Sequence, residues 1–465
     1  MLDGTPVIRD IFYRRQAGDA PNGDIYHTVL LMGYRAGAPG YFALDVTDPN
    51  NPKFLWQYVG ESRPGRGRAG GTPLGYSYGA PALGQVLVDV GGTLQERAIA
   101  LLPVGAGEED AAAARTTGPV GCPARGVGRP PVTGGTTNAR SHQRCWSNTG
   151  RILTWIDVVT GEVIRTFDES TFNAPLSGGV ALVPGDVGTV AERAFLTDAD
   201  GVMWAVDFST RRPADWEVRP FYDIFWDDTA LAGQPAYAAP IVSSDQDGQL
   251  VVVQATGDID RLDSVSTNRV VSLTEEVTYG AGGSASYNTR MNWELRLRRG
   301  EQVTGPLELF EGKIYFATFE SASDPTNMCA LGQSRIWALD YLAGGATAPS
   351  GYTDPTGAFP NPAFESVAGS GVFDTHFRGP FSDQLVLGVG VTQRPTCLSG
   401  ADEFDPYIGT RYRVGTVGGG TFVLTAQVSG GPASASGGDI GTIQEQLPAP
   451  QSYTVVHGFA GDVDN

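Results

Sequence analysis

Oxygen-bearing side chains at alternate positions are the first chemistry this sequence offers. In the string SSDQDGQL, Ser243, Asp245 and Asp247 occupy loop positions one, three and five, with Gly248 at six. Calcium takes six to eight oxygens, and alternate carboxylates in a tight loop deliver several of them. The acidic ligand expected further on is missing, because Val251 opens an apolar run. The other reading of the same residues is a β-hairpin turning on Asp247 and Gly248. Asp258, Asp260 and Asp263 form a second acidic cluster, and Asp198 and Asp200 in TDADG a third. Both fit turns as well as sites. His27, His142, His376 and His457 are scattered, with no pair at ligand spacing and no GxSxG elbow. No catalytic residue is assigned.

Cys122, Cys145, Cys329 and Cys397 are the four cysteines, and none stands in a CxxC or beside a histidine at zinc spacing. An even count fits two disulfides in an exported protein. Cys122 and Cys145 flank one stretch rich in Gly, Pro and Arg, so they are paired here, leaving Cys329 for Cys397. The alternative is four free thiols. That stretch, from about 105 to 150, is longer than ordinary connections, and such loops tend to be functional. It makes Arg144 and Trp146 the candidate binding surface. Its EEDAAAART segment is the best helical candidate in the chain.

These groups must be positioned by strands. The chain has 465 residues, with 63 Gly and 31 Pro, modest charge and many aromatics, a composition that suits turn-rich all-β folds. Lys+Arg number 32 against 51 Asp+Glu, a net charge of −19, which excludes a basic nucleic-acid footprint. No run approaches the roughly 18–20 apolar residues of a membrane helix, so no membrane insertion by this region is expected. No apolar signal segment opens the chain and the pattern is cut at both ends, so it reads as a piece of a longer protein.

A unit recurs: an apolar strand ending in Asp, a turn, then a strand with a large apolar residue. It appears as YFALDVTDPNNPKFLWQYVG (41–60), ILTWIDVVTGEVIRTFD (152–168), MWAVDFSTRRPADWEVRPF (203–221) and, shortened, IWALDYLAGG (336–345). RVVSLTEEV, followed by MNWELRL, is a degenerate copy. A second unit, a Gly/Ala-Pro step and a strand, precedes several of these, as in GAPALGQVLVD and AAPIVSSDQDGQLVVV. Together they give four strands per repeat, the arithmetic of a β-propeller blade. In this scheme the Asp caps the turn by accepting backbone N–H groups, and the Trp packs between blades. Residues 1–465 are expected to form one propeller domain, the part from about 346 being hardest to read.

GYFALDVTDP (40–49), LW (55–56), LGYSYGAP (74–81), GDV (185–187), LTDADGVMW (196–204) and QVTGPL (302–307) resemble the C-terminal propeller of the PilC/PilY type IV pilus biogenesis factors. So do YFATF (315–319) and Cys329. The similarity runs from about residue 3 to about residue 345. It implies a modified seven-bladed propeller of quinoprotein-like architecture with long inserted loops. It further implies a non-enzymatic pilus-tip adhesin or assembly factor, at the bacterial outer surface, serving pilus extension, adhesion and twitching motility. Its partners would be minor pilins or other tip components and a host or abiotic surface. The family's calcium loop is degenerate here: in GDVGTVAER (185–193) Asp186 alone keeps a ligand position. Calcium is therefore the one cofactor candidate and none is assigned. The alternatives are a quinone-dependent propeller dehydrogenase, which usually needs a vicinal cysteine pair that this sequence lacks, or a carbohydrate-binding propeller marked by aromatics grouped at one face.

Overall fold

The computed structural model describes residues 4, 6–14, 24–59, 74–105, 146, 149–185, 190–225, 233–259, 261–262, 266–280, 285–321, 332–342, 365–366, 378–393, 422–429 and 441–447. These residues build antiparallel sheets in chain order. The first sheet is β1 (Val7–Arg14), β2 (Asp24–Gly33), β3 (Gly40–Asp45) and β4 (Lys53–Val59). The second is β5 (Ala82–Val90), β6 (Thr93–Pro103), β7 (Leu153–Asp157) and β8 (Val163–Phe167). The third is β9 (Ala181–Pro184), β10 (Ala191–Thr197), β11 (Val202–Asp207) and β12 (Glu217–Asp223). The fourth is β13 (Ile241–Ser244), β14 (Leu250–Ala255), β15 (Arg269–Tyr279) and β16 (Ala285–Arg296). The fifth holds β17 (Glu301–Val303), β18 (Glu308–Phe310), β19 (Lys313–Ser321) and β20 (Gly332–Asp340); β21 (Glu365–Ser366) returns to β16, and β22 (Arg378–Ser382) completes the fifth sheet. The sixth is β23 (Leu385–Gln393), β24 (Phe422–Ser429) and β25 (Gly441–Gln446).

The strands explain how the sheets stack. Side chains alternate between faces, so a strand apolar on both faces can feed two cores. Ala194 and Leu196 enter the core between the second and third sheets, while Phe195 enters the core between the third and fourth. Val251 and Val253 face the fifth sheet, while Val252 faces the third. Ile314 and Phe316 face the fourth sheet, while Tyr315 and Ala317 face the sixth. One apolar core thus lies between every consecutive pair from the first sheet to the sixth. This is the packing of propeller blades: a small sheet that cannot bury both faces alone is covered on each side by the next.

Seven blades were expected; six sheets are present among the described residues, and among those residues no core joins the sixth sheet to the first. The far face of the first sheet is apolar. Ile8, Leu30, Leu44 and Phe54 stand in register across its four strands, with Ile8 and Phe54 exposed.

The recurrent Asp sits at the end of the third strand of four sheets and caps the turn that follows. Asp45 Oδ1 accepts the Thr47 N–H (3.0 Å), Asp157 Oδ1 that of Val159 (2.9 Å), Asp207 Oδ1 that of Ser209 (3.0 Å) and Asp340 Oδ1 that of Leu342 (2.8 Å). The tryptophans pack between sheets: Trp155 meets Phe208 at 6.0 Å and Trp216 at 5.4 Å, and the Trp56 indole donates across to the Val158 carbonyl (2.9 Å).

Candidate functional site: the end that carries the long connections

In an antiparallel sheet read in chain order, the first and third connections share one end and the second shares the other with the link to the next sheet. In the first four sheets the first end closes in short connections, among them the hairpins of residues 91–92, 158–162 and 245–249. In the same four sheets the other end carries the long connections: 60–81, 104–152, 168–180, 224–240 and 256–268. Backbone hydrogen bonds knit these connections together. Gly75 N–H donates to the Val104 carbonyl, Leu176 to Gly150, Val180 to Ala80, Gly179 to Tyr237 and Gly257 to Pro235. Glycine and alanine serve here because the chains run against each other; a Cβ on Gly79 would collide with the Gly178 carbonyl.

Two polar groupings stand on this end. The first is aromatic. Arg35 has φ +50, a left-handed backbone that costs a non-glycine residue energy, and the Ser77 hydroxyl accepts its N–H at 3.0 Å. Its guanidinium lies 5.1 Å over the Tyr78 ring, and Tyr78 lies 5.8 Å from Tyr237. Both tyrosines are half-buried, and Tyr76 beside them is exposed. Beneath, the buried Tyr41 hydroxyl donates to the Gly79 (3.0 Å) and Pro103 (2.7 Å) carbonyls, and burial raises its pKa far above the usual tyrosine value.

The second grouping is acidic. Asp198 and Asp200 lie in the turn between β10 and β11, 0% and 2% exposed. Asp198 Oδ1 accepts the N–H groups of Asp200 (2.9 Å) and Val202 (3.0 Å), and its Oδ2 accepts the Trp204 indole (3.0 Å). Asp200 Oδ1 accepts the Trp146 indole (2.9 Å). Burial first, and then the charge of Asp200, push the Asp198 carboxyl up to about 7. Both causes disfavour the ionised form of Asp198.

The residues singled out in the sequence fall elsewhere. Ser243, Asp245 and Asp247 form the hairpin between β13 and β14, at the tight-turn end. Asp245 Oδ1 accepts the N–H groups of Asp247 (3.0 Å) and Gln249 (2.8 Å), and Gly248 takes φ +78. One oxygen of Asp245 is thus engaged by the turn. Among the described residues no three His, Cys, Asp or Glu side chains are grouped to hold a metal. Trp146, expected at a binding surface, is 5% exposed, packs on Ala174 and Ala199 and turns its indole inward to Asp200. Arg144, Cys122, Cys145, Cys329, Cys397, Asp186, Asp260, Asp263 and the EEDAAAART segment lie outside the described residues. His27 is a buried structural residue: its Nδ1 is 2.9 Å from Asp45 Oδ2, and Tyr13 stacks on it at 3.9 Å. The Arg35–Tyr78–Tyr237 contact was not visible in the sequence, since it joins three connections. The GYSYGAP string was the available signal.

Fold and site together define a class: an all-β stack of propeller-type blades. Within it, the sequence is similar to type IV pilus biogenesis factors. An 85-residue stretch is 39% identical to PilY1 of Pseudomonas aeruginosa strain PAO1 and equally to that of strain PAK, and 33% identical to that of strain UCBPP-PA14. The stretch is 18% of this chain and 6% of each relative, so only a small part of those proteins is matched. No family model matches the chain. Among solved structures, the Pseudomonas aeruginosa PilY1 C-terminal domain aligns over 95% of this chain and 84% of that one, at 16% identity and TM-score 0.49. A europium-containing methanol dehydrogenase aligns over 67% and 57%, at 11% identity and TM-score 0.32.

Proposed function

We propose that this chain is the propeller part of a PilY1-type pilus biogenesis factor, acting at the bacterial surface or pilus tip as a binding scaffold and not as an enzyme. The observation that carries the reading is the 85-residue stretch at 39% identity to PilY1. The stacked sheets support it, because recognition residues commonly sit on connections that a rigid scaffold holds in place. In this reading the partners are minor pilins or other tip components, and a host or abiotic surface. Export suits two disulfides, Cys122–Cys145 and Cys329–Cys397. The test is removal of the coding region from the bacterium that carries it, with surface pili counted and twitching zones measured. Loss of both, restored by the intact protein, is expected. Normal piliation and motility would overturn the reading.

One observation favours a second reading, a carbohydrate-binding propeller. Arg35, Tyr78 and Tyr237 join three connections at one end. Flat aromatic faces beside a guanidinium suit sugar rings, which stack on the one and hydrogen-bond the other. Titration of the chain against a panel of oligosaccharides, with Tyr78→Ala as control, decides it. Equal binding by both proteins, or none by either, rejects this site.

A further inference from the structure

The strand at the outer edge of a sheet presents a row of N–H and C=O groups, and proteins blunt such edges with short runs, prolines and bulges. Four outer strands here are blunted. A bulge in β4 leaves a regular run at 56–59, and one in β8 leaves 165–167. The run of β12 at 217–220 ends on Pro220, and β22 carries Pro380 within its five residues. β16 differs. It has twelve residues, and its register shift at Asn292 leaves 285–291 in unbroken pairing with β15, without a proline. It is also the outer strand to which a further strand is already added: β21 pairs antiparallel with Trp293 and Glu294. Among the described residues that pairing does not continue onto 285–291.

The side chains of this run brace it against its own fold. The Tyr287 hydroxyl donates to Asp207 (3.1 Å), and the Arg219 guanidinium lies 4.2 Å from its ring. The Thr289 hydroxyl donates to the Phe221 carbonyl (3.2 Å). Arg290, the one charged residue of the run, reaches Glu276 (2.7 Å) and Asn292 (2.9 Å).

We propose that 285–291 is a strand-docking edge, and that its occupant is an extended, uncharged segment of another protein, added antiparallel to β16 in line with β21. Recognition is by backbone: alternate residues of an edge strand turn N–H and C=O outward, and an added strand pairs with them. The segment is uncharged because Arg290 already has its counter-charge in Glu276. Seven residues at strand rise span about 24 Å, so a segment of about that length fills the edge. Residues 367–377 of this chain have to carry it from β21 to β22 on the fifth sheet, which favours an outside segment. The net charge of −19 opposes a second copy. The proposal stands apart from the pilus reading, because it rests on the edge and not on the similarity to PilY1.

The test is hydrogen exchange on the full chain, alone and with a capped seven-residue peptide of alternating threonine and valine at millimolar concentration. The outward amides within 285–291 should be unprotected in the chain alone and exchange about threefold more slowly with the peptide. The Val252 and Leu273 amides, between inner strands, should keep their protection throughout. The same peptide N-methylated at every residue cannot complete a ladder and should protect nothing. Equal protection by both peptides, or none by the first, overturns the proposal. So does protection in the chain alone: if independent of protein concentration it gives the edge to residues 367–377, and if it grows with concentration it gives the edge to a second copy.

Discussion

At the tight-turn end, Asp45, Asp157 and Asp207 each hold a turn N–H with one oxygen and a polar partner with the other. The partners are His27 (2.9 Å), Arg97 (2.9 Å) and the Tyr287 hydroxyl (3.1 Å). At the long-connection end, Asp198 receives only N–H donors and has Asp200 as its charged neighbour. Burial pulls both kinds of carboxyl up. At Asp45 the Thr47 hydroxyl and N–H, with His27, outweigh burial and hold the group below its ordinary value of 3.8; at Asp198 they are not enough. The repeated Asp builds blades, and the unrepeated one stores an unfavourable charge. A group repeated at the same place in four of the six described sheets answers to architecture, and Asp198, at the other end, stands outside that repeat.

The largest expected effect lies deep at the long-connection end. Glu301 and Arg335 are fully buried, 3.3 Å apart, and the Thr318 hydroxyl donates to the same Glu301 oxygen at 2.5 Å. Glu301→Ala leaves the buried guanidinium to Glu320 alone, at 2.9 Å, and should cost about 1.5–3 kcal/mol in denaturant unfolding. Glu301→Met with Arg335→Leu should recover most of that loss, because replacing both charges by apolar side chains is often neutral. A single substitution costing under about 1 kcal/mol would remove the contrast between the two ends.

A smaller effect is expected at the turn end. Asp157→Ala loses the caps on Val159 and Thr160 and the Arg97 contact, but the Arg97 side chain is 29% exposed and rehydrates. The expected loss is about 1–2 kcal/mol, read as a lower denaturant midpoint. A cost equal to that of Glu301→Ala would mean that the repeated carboxylates are as tightly held as the buried ion pair.

The pH dependence should separate the ends by sign. A carboxyl held low, as Asp45 is, contributes stability above its unfolded value of 3.8 and loses it as pH falls through the lower folded value. A carboxyl held high, as Asp198 is, contributes fully below 3.8 and loses that contribution as pH rises through about 7. Asp45→Asn should therefore lower stability at pH 5 to 8 and converge with the unaltered protein in stronger acid. Convergence toward alkaline pH instead would place Asp45 in the other class.

Much of this was legible from residues alone. The strand-Asp-turn-Trp unit announced the sheets, the turn caps and the aromatic cores, because each depends on side chains close in sequence. RVVSLTEEV and MNWELRL, the degenerate copy, became parts of β15 and β16, where Glu275 stands within the strand and pairs with Arg193 and Arg219 of the neighbouring sheet. The long-connection end was not legible, because its contacts join distant connections: Trp146 to Asp200 and Tyr78 to Tyr237. The TDADG string looked like a turn and is one. Its burial comes from Pro175 and Gly233, which no local pattern announces.

The smallest expected effect belongs to the hairpin that most resembled a metal loop. Asp247 is exposed and its backbone N–H, not its carboxylate, engages Asp245. Ser243 pairs with Val251 through the β13–β14 ladder, which its side chain does not build, and its hydroxyl makes one half-exposed hydrogen bond, to Tyr341. Asp247→Asn and Ser243→Ala should therefore each move stability by no more than about 0.5 kcal/mol. A working calcium site at these residues would behave differently, since calcium at one hundred times its dissociation constant adds roughly 2.7 kcal/mol that either substitution would erode. Thermal unfolding with calcium and with chelator should thus give the same difference for both variants as for the unaltered protein. A calcium-dependent rise in melting temperature that Asp247→Asn abolishes would move the hairpin out of the architectural class and make the tight-turn end a ligand-binding end as well.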